Sequence, residues 1–323
     1  MKNSGRPLLR MLCVTLALLA ALAAPAGTVG EEKTGESKGI LYRVTGGNSE
    51  MFLLGSIHVG SEEMYPMNRR ITDALAAADT MVFECDTESP DVVRKMASMM
   101  SYPKGETLRE HISAECYALL EQAAGKTGYP IGMLNALRPW AVVSTLTLET
   151  TAIEMGVEDV SKALTLGVEA QVKALDGDGK KAVAYLETAE SQLDAMDGFS
   201  PELQEYLLYT TCQFLLDPQG ETMAMDAGIT AWPEWWRDGN AGAFADSYLL
   251  SMRQDPEQAL VAEYHQELVT ERNVNMAQEL QKLLNGTDEH SYFVTIGLLH
   301  LVLPEDSVPL ELEKLGYTVE RIE

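Results

Sequence analysis

Apolar and polar positions along this chain change rhythm several times, and the changes mark its elements. Ile40-Leu41-Tyr42-Arg43-Val44-Thr45 and Met51-Phe52-Leu53-Leu54 are strand-like runs. The turn-forming Gly46-Gly47-Asn48-Ser49 between them predicts a hairpin. Gly55-Ser56-Ile57-His58-Val59-Gly60 follows, then a loop to Pro66. Ile71, Ala74, Leu75 and Ala78 recur at i, i+3, i+4 and i+7, the apolar face of a helix. Thr80-Met81-Val82-Phe83 is then a short apolar strand that stops at Glu84-Cys85-Asp86. Residues 89–175 have a mostly helical pattern, punctuated by Pro90, Pro130 and Pro139, before a strand over Lys181–Leu186 that stops at Glu187. From Pro201 to Leu284 the pattern is helical again, with breaks at Asp217-Pro218 and around Trp232–Gly239. Tyr292–Ile296 is a strand leading into Gly297-Leu298-Leu299-His300, followed by a helix near Val308–Leu315 and a strand over Thr318–Ile322.

The order strand, Gly-x-x-His, helix, strand therefore occurs near both ends. This predicts an α/β (or α+β) fold: a mixed sheet from two terminal βαβ units with a large helical insertion between them. Residues 40–323 are expected to form a single domain, because the two motif-bearing ends should come together. Residues 1–26 have the order of a signal peptide, with basic Lys2, Arg6 and Arg10, the apolar run Met11–Leu22 and the small-x-small Ala24-Pro25-Ala26. Cleavage near Ala26 would make the protein secreted or extracytoplasmic. The apolar run is shorter than the roughly 20 residues of a spanning helix, and no later segment is long and apolar enough to serve. No integral membrane span is expected after leader cleavage. Residues 27–39 read as a flexible lead-in, with order beginning at Ile40.

The formal net charge of the full chain is −25. Loss of the leader's three basic residues moves it to −28. So acidic a surface repels nucleic acid and anionic lipid and favours cations. Beyond the leader the cysteines are Cys85, Cys116 and Cys212, an odd number with no C-x-x-C, so a fully paired disulfide framework is excluded. Cys85 follows Glu84 directly, and neighbouring side chains on a strand point to opposite faces, which makes Cys85 a core residue and not a nucleophile. The chain has no Gly-x-Ser-x-Gly, P-loop or His-Glu-x-x-His pattern.

In open α/β sheets ligands sit outside the carboxyl ends of the strands. Four polar residues follow apolar runs at such ends: His58, Glu84, Glu187 and His300. Imidazoles and carboxylates suit a divalent first-row metal ion (Mn, Co, Fe or Zn). The same groups could serve as a metal-free acid–base pair. The other histidines, His111, His265 and His290, lie in helical or loop context and read as surface residues. Trp232, Trp235 and Trp236 beside Pro233 read as packing at a helix corner, with an aromatic wall for a peptide or sugar as the other reading.

Much of the chain resembles the TraB/PrgY/GumN family, which includes the Tiki metalloproteases. The resemblance lies in Leu54–Gly60, Tyr65-Pro66, Val82–Asp86, Leu137-Arg138-Pro139-Trp140, Gly167-Val168-Glu169, Leu186-Glu187-Thr188 with Gln192-Leu193, Trp236–Gly239, Arg272–Ala277, Ile296–Leu301 and Gly316–Val319. It implies a site built from His58, Glu84 and His300, which are also the metal ligands if a metal binds. Glu187 and Arg272 match further recurring positions. Arg272 could clamp a carboxylate or oxyanion, or form a helix-terminal salt bridge; Asn273 could be a structural cap. The implied activity is that of an extracytoplasmic hydrolase, metal-dependent or not, whose substrate is a peptide or a related small amide or ester. The alternative is a non-catalytic protein that binds and sequesters a peptide, in the manner of a pheromone inhibitor. One departure stands out: Val302-Leu303-Pro304 follows the second motif where a glycine is usual, which bears on the loop behind His300.

Overall fold

The computed structural model describes residues 36–155, 160–177, 179–217, 229–287 and 289–323. The leader and most of the lead-in lie outside these residues. The architecture is a six-stranded mixed sheet surrounded by helices. The strands are β1 Leu41–Thr45, β2 Glu50–Ser56, β3 Thr80–Phe83, β4 Ala182–Tyr185, β5 Ser291–Gly297 and β6 Thr318–Ile322, and their order in the sheet is β4-β3-β5-β2-β1-β6. β2, β5, β3 and β4 run parallel, whereas β1 is antiparallel to both β2 and β6.

The two terminal units interlock. β5 lies between β2 and β3, pairing Gly55 with Ile296 and Phe83 with Thr295, so strands from opposite ends of the chain alternate across the sheet centre. β6 sits at the far edge beside β1, and β4 comes from within the helical insertion. The carboxyl ends of β2, β3, β4 and β5 therefore open on one rim. This register results from alternating burial. Met81, Phe83 and Phe293 face a core that includes Ile71, Leu75, Val168 and Trp236. Val82, Val294 and Ile296 face the opposite core, with Met276, Leu280, Leu284 and Leu312. Successive strand residues thus point to opposite sides, and a one-residue slip would exchange both cores. A third core is purely helical and includes Leu120, Trp140, Leu207 and Tyr264.

Local signals fix the helices that carry the rim. Asn68 caps the helix Arg69–Ala77 by accepting from Ile71 N at 3.1 Å. Thr188 and Ser191 cap Ala189–Asp197 reciprocally. The break expected around Trp232–Gly239 is instead a helix, Trp232–Asp238: Pro233 is tolerated in its first turn, and Gly239 ends it at φ +70°. Ordered packing also begins before Ile40. Ser37 is fully buried and bonds to Met64 O and Pro66 O, and Lys38 N donates to Arg237 O at 2.7 Å. A polar composition gave no sign of these backbone pairings. Among the described residues no helix is long and apolar enough to cross a membrane.

Candidate functional site

The two Gly-x-x-His segments leave the sheet side by side, and their glycines are the points of contact. A methyl group on Gly55 would meet Leu298 Cδ1 at 2.3 Å. One on Gly297 would meet Glu84 Oε1 at 3.0 Å and His300 Cδ2 at 3.4 Å. Leu298 N also donates to Ser56 O at 2.8 Å, tying the second motif to the end of β2. Glycine is needed at both positions because backbone and site groups approach where a Cβ would stand.

Arg272 sits at the centre of the polar cluster. Its Nη2 donates to Glu84 Oε2 at 2.6 Å and to Glu187 Oε2 at 2.7 Å, and its Nε lies 3.2 and 3.1 Å from the two Glu187 oxygens. The three side chains are 7%, 12% and 9% exposed. Arg272 is thus the buried cation of an ion pair shared between two carboxylates. Gln192 completes it: Nε2 donates to Glu187 at 2.8 Å and to Glu84 at 3.3 Å, while Oε1 faces Cys85 Sγ at 3.5 Å. Glu84 Oε1 accepts from Gly297 N at 2.6 Å. Cys85 is buried, and burial pushes its thiol pKa up, in keeping with a core role. Arg272 is carried by the helix Glu271–Leu284, which follows directly on a π-helical turn, Gln266–Thr270, a local widening of the kind often met at functional sites.

Burial acts on these groups in opposite senses. For Glu84, burial alone would raise the pKa, but the Arg272 guanidinium, with His300, His58 and the Gly297 amide, outweighs it and holds the carboxyl at about 2. For His300, burial and then Arg272 lower the pKa, against Glu84 and Asp306, to about 3. At neutral pH His300 is therefore uncharged, and Arg272 is the cation bonded to both carboxylates. Glu84, Glu187 and Arg272 together leave one negative charge at the rim. His300 is 3% exposed, and its Nδ1 lies 2.7 Å from Asn273 Oδ1. His58 is half-buried, lies close enough to Glu84 and His300 to act on both charges, and has no hydrogen-bond partner among the described residues.

The segment bearing His58 is held from below by the turn at residues 163–168. Val168 N donates to Ile57 O at 3.0 Å, Gly60 N to Ala163 O at 2.8 Å, and Tyr65 Oη to Leu166 O at 2.6 Å. A methyl group on Gly167 would meet His58 O at 2.2 Å, and neither backbone can yield independently. Gly167→Ala is expected to cost about 1–3 kcal/mol as a small-to-large change at a packed site and to displace His58. Urea unfolding and the His58 ring signals in NMR check this; wild-type stability with unshifted signals would count against the contact.

The structure thus brings Glu84, Glu187, Arg272 and His300 into one cluster with His58 beside it. It also adds residues the sequence reading did not place there: Gln192, Asp306 and His265. His265 is not a surface residue. Its Nε2 lies 3.2 Å from Asp306 Oδ2 and its Nδ1 2.8 Å from the Tyr248 hydroxyl, with its side chain 24% exposed. A helical position gave no hint of that burial, because the partners come from elements 17 and 41 residues away in sequence. His111 stacks on Tyr102 and pairs with Glu106, and His290 bonds to Thr80 Oγ1, all away from the rim. The tryptophans pack: Trp235 meets Phe244 edge-on at 5.4 Å, and Trp236 is fully buried.

Among the described residues no three His, Cys, Asp or Glu side chains form a ready-made metal cage. The donor chemistry nonetheless fits a first-row divalent ion. The set contains an ionised carboxylate, a neutral imidazole, a second imidazole without a hydrogen-bond partner among the described residues and a residual negative charge.

Fold and site define an α/β protein whose paired histidines and carboxylates meet at the carboxyl rim of parallel strands. A model of the TraB/PrgY/gumN family matches residues 40–321, and the chain belongs to that family. The chain is similar to the uncharacterised protein YbaP of Escherichia coli (strain K12), 28% identical over 147 residues, which is 46% of this chain and 52% of that protein. The match to YbaP of Shigella flexneri has the same identity and coverage. The chain spans about half the length of these curated relatives. No solved structure matches it.

Proposed function

We propose that the chain is an extracytoplasmic hydrolase of peptides or related amides or esters, working with a divalent first-row metal ion held by His58, Glu84 and His300. The observation that carries this reading is a buried carboxylate kept ionised beside a buried imidazole kept neutral, both at one strand-end rim. A neutral imidazole and a carboxylate are the forms in which these side chains donate to a metal. Manganese, cobalt, iron or zinc would contribute Lewis acidity at a substrate carbonyl. The chain's own residues supply the rest. Arg272 and Gln192 hold both carboxylates in fixed orientations, so Glu84 need not reorganise during reaction. Half-buried His58 is the site histidine with an exposed part that a substrate arriving from solvent can meet. The leader-like order of residues 1–26 supports the extracytoplasmic location.

The test is the metal content of the purified mature protein, together with hydrolysis of a peptide library before and after chelation. His58→Ala and His300→Ala are each expected to reduce turnover at least about 100-fold, the scale of losing a group that acts in the transition state. Full turnover in both variants would place catalysis elsewhere. Turnover that survives chelation would favour the metal-free acid–base use of the same residues. A peptide bound tightly by wild type without turnover would favour sequestration.

A further inference from the structure

The loop behind His300 returns to the site through Asp306. Asn273 Nδ2 donates to Asp306 Oδ1 at 2.8 Å and to Asp306 O at 3.2 Å. Both partners only accept, so the amide nitrogen must face them and Oδ1 must face His300. Asn273 Oδ1 in turn only accepts, so the proton on His300 is at Nδ1, 2.7 Å away, and the lone pair is at Nε2. Asp306 is itself held from its other side. The Thr270 hydroxyl donates to Oδ2, and His265 Nε2 lies 3.2 Å from the same oxygen. A lone pair at His265 Nε2 would face a carboxylate, so that nitrogen carries a proton, and His265 Nδ1 accepts from Tyr248 Oη at 2.8 Å. Asn273 is fully buried, Asp306 O and Oδ1 already occupy its amide nitrogen, and no rotation of a single group relieves the pattern.

We propose that Asp306 is a positioning residue that, through Asn273, fixes His300 as the Nδ1–H tautomer and so leaves the lone pair on Nε2, the ring nitrogen turned away from Asn273. His300 Cδ2, the ring carbon bonded to Nε2, lies beside Gly297, where an added methyl group would meet it at 3.4 Å and Glu84 Oε1 at 3.0 Å. The consequence for catalysis rests on the hydrolase reading above; the tautomer does not.

Asp306→Asn makes a specific forecast. Thr270 and His265 donate to the Oδ2 side, so the new amide must place its oxygen there and its nitrogen toward Asn273. Asn273 then turns its oxygen to that nitrogen and its own nitrogen to His300, giving up its 3.2 Å bond to the carbonyl of residue 306. The His300 tautomer inverts, with the proton moving to Nε2. Two-bond proton–nitrogen NMR of the imidazoles reads this directly. The full mature chain is used as purified and after chelation, and the His300 signals are assigned by their absence in His300→Gln. Wild type is expected to show a protonated Nδ1 in both preparations, and Asp306→Asn a protonated Nε2 after chelation. If peptide turnover is found, kcat in Asp306→Asn should fall about 10–100-fold, the range for groups that orient a ligand from outside, with KM little changed. Wild type protonated at Nε2, or a folded Asp306→Asn with the wild-type pattern, would overturn the proposal. If that variant does not fold, the wild-type spectrum still decides. A correct tautomer without any hydrolysis would count against the hydrolase reading alone, and hydrolysis with the Nε2–H tautomer against this inference alone.

Discussion

Arg272→Leu is expected to lower the unfolding free energy by about 3–5 kcal/mol, the cost of stranding buried charge when one partner of a buried pair is removed. Arg272 is 7% exposed and is the cation of both Glu84 and Glu187, so its loss leaves two carboxylates a short distance apart with Gln192 and the Gly297 amide as their remaining side-chain and loop donors among the described residues. Arg272→Lys should recover only part of the loss, because one ammonium cannot reproduce the fork that spans both acids. Glu84→Gln and Glu187→Gln, added to Arg272→Leu, should recover more by removing the stranded charge. pH gives a second check. The Glu84 pKa falls from an ordinary 4.5 to about 2 on folding, so the stability it contributes is complete above 4.5 and disappears as pH falls toward 2. In Arg272→Leu that contribution is absent. Its deficit against wild type, measured by urea unfolding, should therefore narrow between pH 4.5 and 2. A loss under about 1 kcal/mol at pH 7, the scale of an exposed pair, would show that the cluster is not held by Arg272.

Much of this arrangement is legible in the chain before any coordinates, and the residues show why. Thr80–Phe83 and Thr318–Ile322 are strands at the predicted boundaries, the first an apolar run bounded by polar residues. His58, Glu84, Glu187 and His300 stand out as polar residues following such runs, and a parallel sheet collects strand ends on one rim. What periodicity omits is which strand lies beside which. Nothing local states that β5 enters between β2 and β3, since that pairing joins residues more than 200 positions apart. The same limit hides the supports of the site. Arg272 emerges only through resemblance, because a helical arginine is ordinarily solvated. Gln192 likewise appears only within a resembling segment, and His265 and Asp306 carry no pattern at all: each takes its place through a partner that folding brings to it. The loop that follows His300, beginning Val302-Leu303-Pro304, delivers Asp306 to Asn273.

Trp236→Ala should also cost about 3–5 kcal/mol, as a large buried aromatic reduced to a methyl group, and its effect should reach His58. Trp236 is fully buried in the core that joins Phe293 of β5 to Ile71 and Leu75 of the helix Arg69–Ala77. Its indole Nε1 donates to Gly55 O at 2.8 Å, the carbonyl of the glycine that opens the first Gly-x-x-His segment. The ring also fills the space in front of Gly39, where an added methyl group would meet Cζ2 at 3.3 Å. Truncation thus removes apolar contact beneath β2 and strands a buried acceptor three residues before His58. Trp236→Phe separates the two effects. It keeps most of the ring packing and loses the hydrogen bond, so about 1–3 kcal/mol is expected from the unpaired carbonyl. Urea unfolding of wild type, Trp236→Phe and Trp236→Ala should rank in that order. Amide exchange across residues 55–60 should quicken in both variants, more in Trp236→Ala. Protection of that segment at the wild-type level in Trp236→Ala would mean that the turn at residues 163–168 holds His58 without help from the tryptophan.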